Sequence, residues 1–368
     1  MMAEANWQKV RDLSRGKVSG KLTSNPQSRF RWKRSLVAFG LVVGSLCAPV
    51  TLTAPVNAQQ LEPFVPPPNS LSSPSKRSEA TGTEKPDVQF ADEMRNFVIQ
   101  LSRWAKSYRS DFSIIALNGL ELTEYLETTL FASRGTAEPA RNYLRALDGI
   151  MIEAPFYGFD KYGEPTDSEE TKYILGYLDR MKSSGLEYFA LDYTDKSDAQ
   201  QAARQKLRDL NALYYAAPPP DKQLSTLAKV PRTPIGANPH IIDNIREAKN
   251  YAIVLDSSPY GTKDAFIDAM IDTNYDVLII DPFHRGTIPL TYDDMKRLRY
   301  KKVGTPRTIL AYLNIGTAET YRYYWQNNWR AGSPEFIGEG NLDARWGQEH
   351  HVYYWSQAWQ NIMFGSEN

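Results

Sequence analysis

The sequence has little of the residue types that metal and redox chemistry need. One cysteine, Cys47, occurs among its 368 residues, so an intrachain disulfide framework or a cysteine-rich metal site is excluded. The four histidines are too scattered for a metal motif, and the adjacent pair His350 and His351 fits a surface role better than a pair of ligands. We predict no cofactor and no metal.

Nucleotide-binding motifs are missing as well. No G-x-G-x-x-G follows a predicted strand and no phosphate loop is present, which disfavours an intracellular oxidoreductase. Net charge is also absent, since 43 Lys/Arg balance 43 Asp/Glu. The balance is uneven along the chain, because residues 1–34 hold nine Lys/Arg against Glu4 and Asp12.

That basic region opens the pattern of a secretory signal. An apolar stretch follows at residues 35–50, and small residues suited to cleavage occupy 54–58. We predict a signal peptide over residues 1–58 and a secreted or periplasmic protein. The alternative is an uncleaved segment that anchors the protein in the membrane, which Pro49 and Pro55 disfavour.

Removal of the signal would change the charge of the protein. The remaining chain keeps 34 Lys/Arg and 41 Asp/Glu, and Cys47 is lost with the signal. An acidic exported protein is a poor nucleic-acid binder and a reasonable partner for cationic ligands. We therefore expect no nucleic-acid partner, and no membrane association after cleavage.

Composition divides the rest of the chain into four segments. Residues 59–89 are rich in Pro and Ser and are predicted to be a disordered tether. Helical and strand patterns alternate over 90–217 and again over 250–368. Between them, residues 218–249 have many helix breakers and little periodicity, which is typical of a linker.

The alternation favours an α/β protein with parallel strands. Seven candidate strands suggest a barrel more than a doubly wound sheet. Helices are expected at residues 90–108, 120–132 and 320–329, and a capping box at Thr166 and Glu169 would open another. The predicted strands lie near residues 112–117, 150–152, 186–191, 212–216, 250–255, 277–280 and 308–313.

Polar residues follow the apolar strands, at the end of a barrel where active sites are built. A single Asp there is most often turn chemistry, but several carboxylates together suit glycosidic bond cleavage, which needs a proton donor and a second carboxylate. Tyr157 and Tyr193 lie on the same predicted loops and could stack on sugar rings, whereas core packing is favoured for residues 321–329. The polar positions are Asn118, Glu153, Asp192, Asp256, Asp281 and Asn314.

These residues carry a resemblance to a known family. Residues 148–158 (DGIMIEAPFYG) and 318–325 (AETYRYYW) are its most specific parts, and 114–119, 189–194 and 275–282 add to it. The chain resembles the family-114 glycoside hydrolases, the endo-α-1,4-polygalactosaminidase-like proteins that include some once labelled cysteinyl-tRNA-synthetase-like. The resemblance implies a (β/α)8 TIM barrel and a polysaccharide substrate.

The order of the parts departs from that family. Residues 90–217 resemble the second half of the barrel and 250–368 the first half, so the chain is expected to be circularly permuted. The family's fourth strand, which carries a catalytic Asp, has no counterpart that we can identify. A seven-stranded barrel would leave an open edge and could dimerise through it.

The resemblance implies roles for individual residues. Glu153 matches the family's acid/base, and Asp192 or Asp281 is the candidate partner in place of the missing Asp. Two hypotheses remain: a secreted hydrolase of an amino-sugar polysaccharide such as polygalactosamine, or a non-catalytic carbohydrate-binding or structural remnant. The implied substrate-binding positions are Asn118, Tyr157, Tyr193, Asp256, Tyr312, Glu319 and Arg322.

Overall fold

The structure, a computed structural model, describes residues 40–43, 90–126, 137–218, 224–225, 227, 232–338 and 349–364. All described residues belong to one compact unit of the chain, which begins at Ala38. The predicted tether at 59–89 and most of the predicted signal peptide lie outside the described residues.

Parallel strands joined by helices form the body of the protein, which confirms the α/β class. The strands are β1 Gly40–Val43, β2 Ile114–Leu117, β3 Glu124–Leu126, β4 Ala137–Pro139, β5 Gly149–Glu153, β6 Glu187–Tyr193, β7 Leu213–Ala217, β8 Tyr251–Val254, β9 Val277–Ile280, β10 Phe283–His284, β11 Ile288–Pro289, β12 Thr308–Asn314, β13 Thr317–Glu319 and β14 Glu349–His351. The helices are α1 Phe90–Tyr108, α2 Arg141–Ala146, α3 Ser168–Met181, α4 Ser197–Lys206, α5 Lys263–Ile271, α6 Tyr292–Leu298 and α7 Gln357–Phe364.

Eight strands form one sheet in the order β7-β6-β5-β2-β1-β12-β9-β8. The strands of 90–217 lie on one side of β1 and those of 250–368 lie on the other. All neighbours pair in parallel except β1, which is antiparallel to both β2 and β12. Within the described residues β7 and β8 stand at the two edges of this order, so the closed barrel that we expected is not found there.

The position between the two halves is occupied by β1, where we expected a missing strand. Gly40 lies opposite Leu117 on one side and Asn314 on the other, and Val43 lies opposite Ile114 and Ala311. This strand comes from the segment predicted to be a signal peptide. Export and cleavage are not tested by this geometry and stay predictions, but cleavage after residue 58 would remove β1.

The two halves share a core across the ends of the sheet. On β8, Tyr251 contacts Phe189 of β6 and Tyr215 of β7 at ring-centroid distances of 5.1 and 5.6 Å, and its hydroxyl donates to the Ala190 carbonyl at 2.8 Å. All four residues are buried. Burial of such large rings is a principal stabilising term, so the halves pack as one body.

The described residues of the predicted linker pack against the rest of the protein. Ile242 and Ile245 are buried, and the Leu255 amide donates to the Leu224 carbonyl at 2.8 Å. Buried Lys301 donates to the Asn238 carbonyl at 2.9 Å and pairs with Asp276 at 2.9 Å.

Three helix predictions need correction. A 3₁₀ turn, Leu120–Thr123, followed by strand β3 replaces the start of the helix expected at 120–132. Helix α3 begins after Asp167, whose side chain accepts from the amides of Glu169 and Glu170, so Thr166 is not its cap. The third is the predicted helix at 320–329, described with the site below. No helix among the described residues is long and apolar enough to cross a membrane.

Candidate functional site

Side-chain alternation decides on which face of the sheet each strand-end residue lies. On β5, Ile150 and Ile152 belong to the core cluster that packs against helices α1 and α3, whereas Met151 belongs to the second core cluster, on the face that we call inner. Successive residues of a strand point to opposite faces. Glu153 therefore follows Met151 on the inner face, at the carboxyl end of the strand.

Glu153 is held by uncharged donors. The Asn118 side-chain amide donates to its Oε2 at 3.3 Å, and the Glu153 backbone amide donates back to Asn118 Oδ1 at 3.1 Å. The Tyr193 hydroxyl donates to Oε1. Asn118 reaches this position because its backbone is left-handed, with φ of 60°, a conformation that Asn tolerates better than most residues. Glu153 itself is partly exposed, as a group that meets a ligand must be.

A second group of carboxylates gathers around Arg322. Its Nη1 donates to Asp281 Oδ1 at 2.8 Å, and its Nε donates to Glu319 Oε2 at 2.5 Å. All three side chains are buried. Burial alone would lower the pKa of Arg322, but the two carboxylates outweigh it and raise the pKa. Burial raises the pKa of Asp281 although Arg322 opposes that shift.

The Arg322 contacts explain why the predicted helix at 320–329 does not form. The segment instead makes successive tight turns, in which the Arg322 amide donates to the Glu319 carbonyl and the Trp325 amide to that of Arg322. Tyr321 also donates to Glu319 Oε1 at 2.5 Å. Satisfying a buried carboxylate with local side chains outweighs the weak helix propensity of an aromatic-rich segment.

Tyr312 lines a pocket together with Glu319 and Arg322. It lies on β12 in the same alternation as buried Leu310. Burial is the main cause that raises the pKa of Tyr312, and the charges of Glu319, Glu349 and Glu153 raise it further, with Arg322 acting against them. Residues from both halves of the chain therefore act on one tyrosine.

Asp192 lies on the other face of β6, although it also ends a strand. It alternates with Tyr193 and is fully buried. Its Oδ1 accepts from the amides of Phe156 and Tyr157 at 3.0 Å each, and its Oδ2 accepts from Tyr214 at 3.0 Å. The structure does not bring Asp192 to the Glu153 carboxylate. Asp192 instead positions the loop that follows Glu153.

Three further residues singled out in the sequence, Asp256, Tyr157 and Asn314, make local contacts. Asp256 is partly exposed and accepts from the amide of Ser258, the first residue of a short 3₁₀ turn, at 2.9 Å. Tyr157 packs against the cluster on the helix side of the sheet. At the end of β12, Asn314 accepts from the Thr317 amide at 3.2 Å and shapes the turn into β13. These contacts give none of the three a direct link to Glu153.

The sequence did not identify the residues that support Glu319 and the strand that carries it. Tyr324 accepts from the Glu319 amide at 3.1 Å, and Thr317 donates to Glu349 Oε2 at 3.1 Å. Both threonine and glutamate lie on the paired strands β13 and β14. The alternation in Thr317–Glu319 is too short to identify a strand, so the sequence offered only the acidic and aromatic composition as a signal. Among the described residues no group of His, Cys, Asp or Glu has the arrangement to hold a metal.

Comparison with known proteins gives partial similarities. No family model matches the chain. It is 32% identical over 129 residues to an uncharacterized protein of Methanocaldococcus jannaschii, covering 33% of this chain and 36% of that protein. An uncharacterized protein of Deinococcus radiodurans is 31% identical over 96 residues (26% of this chain, 29% of the relative). One of Thermotoga maritima is 44% identical over 55 residues (15% and 16%). The chain thus spans about a third or less of the length of these curated relatives, whose names state no activity.

Proposed function

We propose that the protein is a glycoside hydrolase that cleaves an amino-sugar polysaccharide, with Glu153 as its proton donor. The observation that carries this proposal is the placement of Glu153 at the inner, carboxyl end of β5, held by Asn118 and Tyr193. A partly exposed carboxyl group fixed by neutral donors can release and recover a proton without breaking an ion pair.

The second carboxylate in this proposal is Asp281. It follows β9 on the inner face, since Val277 pairs with the inward-facing Tyr251 and Asp281 keeps the same alternation. Glu153 would protonate the glycosidic oxygen as the bond to the anomeric carbon breaks. Asp281 would take a proton from the attacking water, or bond to the anomeric carbon directly, depending on the carboxyl separation. Burial raises the pKa of Asp281, which suits a group that accepts a proton.

The same proposal includes a closed barrel fold. Both edge strands of the sheet contribute rings to one core, and side-chain contacts join Tyr215 of β7 to Tyr251 of β8. A (β/α)8-type TIM barrel in permuted order would explain this proximity, with β1 in place of its fourth strand. Active sites of such barrels lie at the carboxyl ends of the strands, where Glu153 and Asp281 are found.

Charge supports a substrate with amino groups. Glu153, Glu319 and Glu349 all act on Tyr312, and Arg322 is the opposing charge. A negative potential of this kind attracts the ammonium groups of a deacetylated amino sugar.

The test is release of reducing ends from polygalactosamine. We expect Glu153→Gln to lower the rate by about two to four orders of magnitude, because the amide cannot donate the catalytic proton. Glu187→Gln makes the same change at the amino end of the neighbouring strand β6 and should leave the rate unchanged. Equal rates for wild type and Glu153→Gln would refute the proposal.

A non-catalytic carbohydrate-binding protein is the second candidate. The observation that favours it is the pairing of both Asp281 and Glu319 with Arg322, because a carboxylate held by a cation is a weaker nucleophile and base. In that case polygalactosamine would bind to the wild-type protein, and no reducing ends would form.

A further inference from the structure

One aromatic side chain beside the Arg322 group is unusually exposed. Tyr323 is 70% exposed, and its ring stacks on Phe283 with centroids 5.5 Å apart and planes inclined by 25°. Most aromatic rings of this size are buried because burying them is favourable. An exposed ring that is nevertheless held parallel to a neighbour presents a flat apolar face to solvent.

A series of ring contacts fixes Tyr323 to the core. Its ring meets Tyr324 edge-on at 5.5 Å, and Tyr324 meets Trp359 edge-on at 5.6 Å. Trp359 is fully buried, and its indole N–H donates to the Ile315 carbonyl at 2.9 Å. Because each ring is oriented by the next, binding a ligand on Tyr323 costs little ordering entropy.

The stacked pair adjoins the carboxylate groups described above. The Phe283 amide donates to Asp281 Oδ1 at 2.8 Å, and the Arg322 guanidinium lies 5.8 Å from the centre of the Phe283 ring. Phe283 and Tyr323 line the same small pocket as Tyr312, Glu319 and Arg322. A ring resting on Tyr323 would therefore lie next to the negatively charged part of the site.

We propose that the Tyr323–Phe283 pair is a sugar-stacking subsite that takes neutral or cationic hexosamine rings and rejects uronic acids. The apolar C–H face of a pyranose matches the exposed face of Tyr323. Charge at the pocket provides the selectivity. Among the described residues in and next to it, Glu319 and Asp281 share the cation Arg322 and leave net negative charge beside the stacked pair. This inference rests on the proposed function, because it names a subsite for the same polysaccharide.

Binding is measured in the full-length Glu153→Gln background, where turnover does not consume the ligand. The probe is a galactosamine oligomer of defined length, titrated by calorimetry. Tyr323→Ala should weaken binding about tenfold, which corresponds to about 1.4 kcal/mol, while Tyr323→Phe keeps the ring and should bind as well as the parent. Tyr292→Ala removes a tyrosine that is 67% exposed on helix α6 and serves as the matched control.

The outcomes separate the two proposals. Binding by the parent that Tyr323→Ala leaves unchanged, with the variant folded by circular dichroism, would overturn the subsite and leave the hydrolase proposal standing. No binding by the parent at all would count against the proposed function itself. Equal affinity for an oligogalacturonate of the same length would overturn the charge selection.

Discussion

Glu153 and Asp281 both lie on the inner face at the carboxyl ends of strands, on opposite sides of β1. Their surroundings nevertheless differ. Glu153 is partly exposed and receives hydrogen bonds from the neutral groups of Asn118 and Tyr193. Asp281 is buried and bound to the guanidinium of Arg322. The first setting allows a proton to come and go, whereas in the second Arg322 opposes the proton uptake that burial favours. Position at a strand end is therefore not enough, because the partner of a carboxylate decides its chemistry.

The largest effect, on hydrogen exchange, is expected from removing β1, the strand between the Glu153 and Asp281 sides of the sheet. Deleting residues 1–58 eliminates β1, so the amides of β2 and β12 that face it lose their partners. Hydrogen exchange followed by mass spectrometry should show faster exchange over residues 114–117 and 308–314. Strand β9, which lies between β8 and β12, serves as the internal control. Unchanged exchange in β2 and β12 would show that β1 does not occupy this position.

Loss of the central cation should be the most destabilising point change. Arg322→Leu leaves Asp281 and Glu319 buried without a counter-charge, which costs about 3–5 kcal/mol of unfolding free energy. Arg297→Leu breaks two ion pairs with Asp264 and Asp268 at an exposed position and should cost about 0–1 kcal/mol. Urea denaturation of both variants measures the difference, and equal losses would contradict the ascribed role of Arg322.

Asp192 faces away from the site, and its contribution can be tested through the pH dependence of the free energy of unfolding. Burial raises its pKa to about 6 from an ordinary 3.8. The native state therefore binds more protons than the unfolded chain between these values, so its stabilising contribution is present below pH 4 and lost as pH rises through 6. The wild type should lose roughly 2–3 kcal/mol relative to Asp192→Asn across that window. Denaturation curves at pH 4 and pH 7 measure this, and parallel behaviour of the two proteins would be inconsistent with it.

The smallest effect, on kcat, is expected from removing the hydrogen bond that Tyr193 donates to Glu153. Tyr193→Phe removes the hydroxyl that donates to Oε1 and keeps the buried ring. We expect kcat on polygalactosamine to fall about tenfold with little change in KM, because the Glu153 carboxyl group is then less firmly oriented. Tyr300→Phe, at an exposed position on the surface, is the control. A selective rise in KM would assign Tyr193 to substrate binding instead.

Much of the sheet could be predicted from the sequence, because apolar runs such as 150–152 and 277–280 are short, buried and followed by a polar residue. A capping box forms at Thr291 and Asp294, where a threonine three residues before an acidic residue is the sequence pattern of a helix start. The antiparallel strand β1 could not be predicted, since its apolar run matches the pattern of a signal peptide and only tertiary pairing distinguishes the two. The turns at 320–329 were missed because a buried ion pair, which is not visible in periodicity, determines them.

The site was predictable to the level of strand ends and no further. Glu153 and Asp281 were both identified as polar ends, and the structure places both on the inner face. Asp192 has the same sequence signal, and only the pairing register reveals that it points to the outer face, because a shift of one residue reverses the side of every side chain.

In the proposed enzyme, residues from both halves of the chain line one substrate site. The most direct test is a crystal structure of full-length Glu153→Gln with a galactosamine oligomer. We expect one continuous ligand that contacts the side chain at position 153 and the ring of Tyr323. Ligand bound to one half alone, with the other carboxylate group facing an unrelated part of the surface, would contradict it.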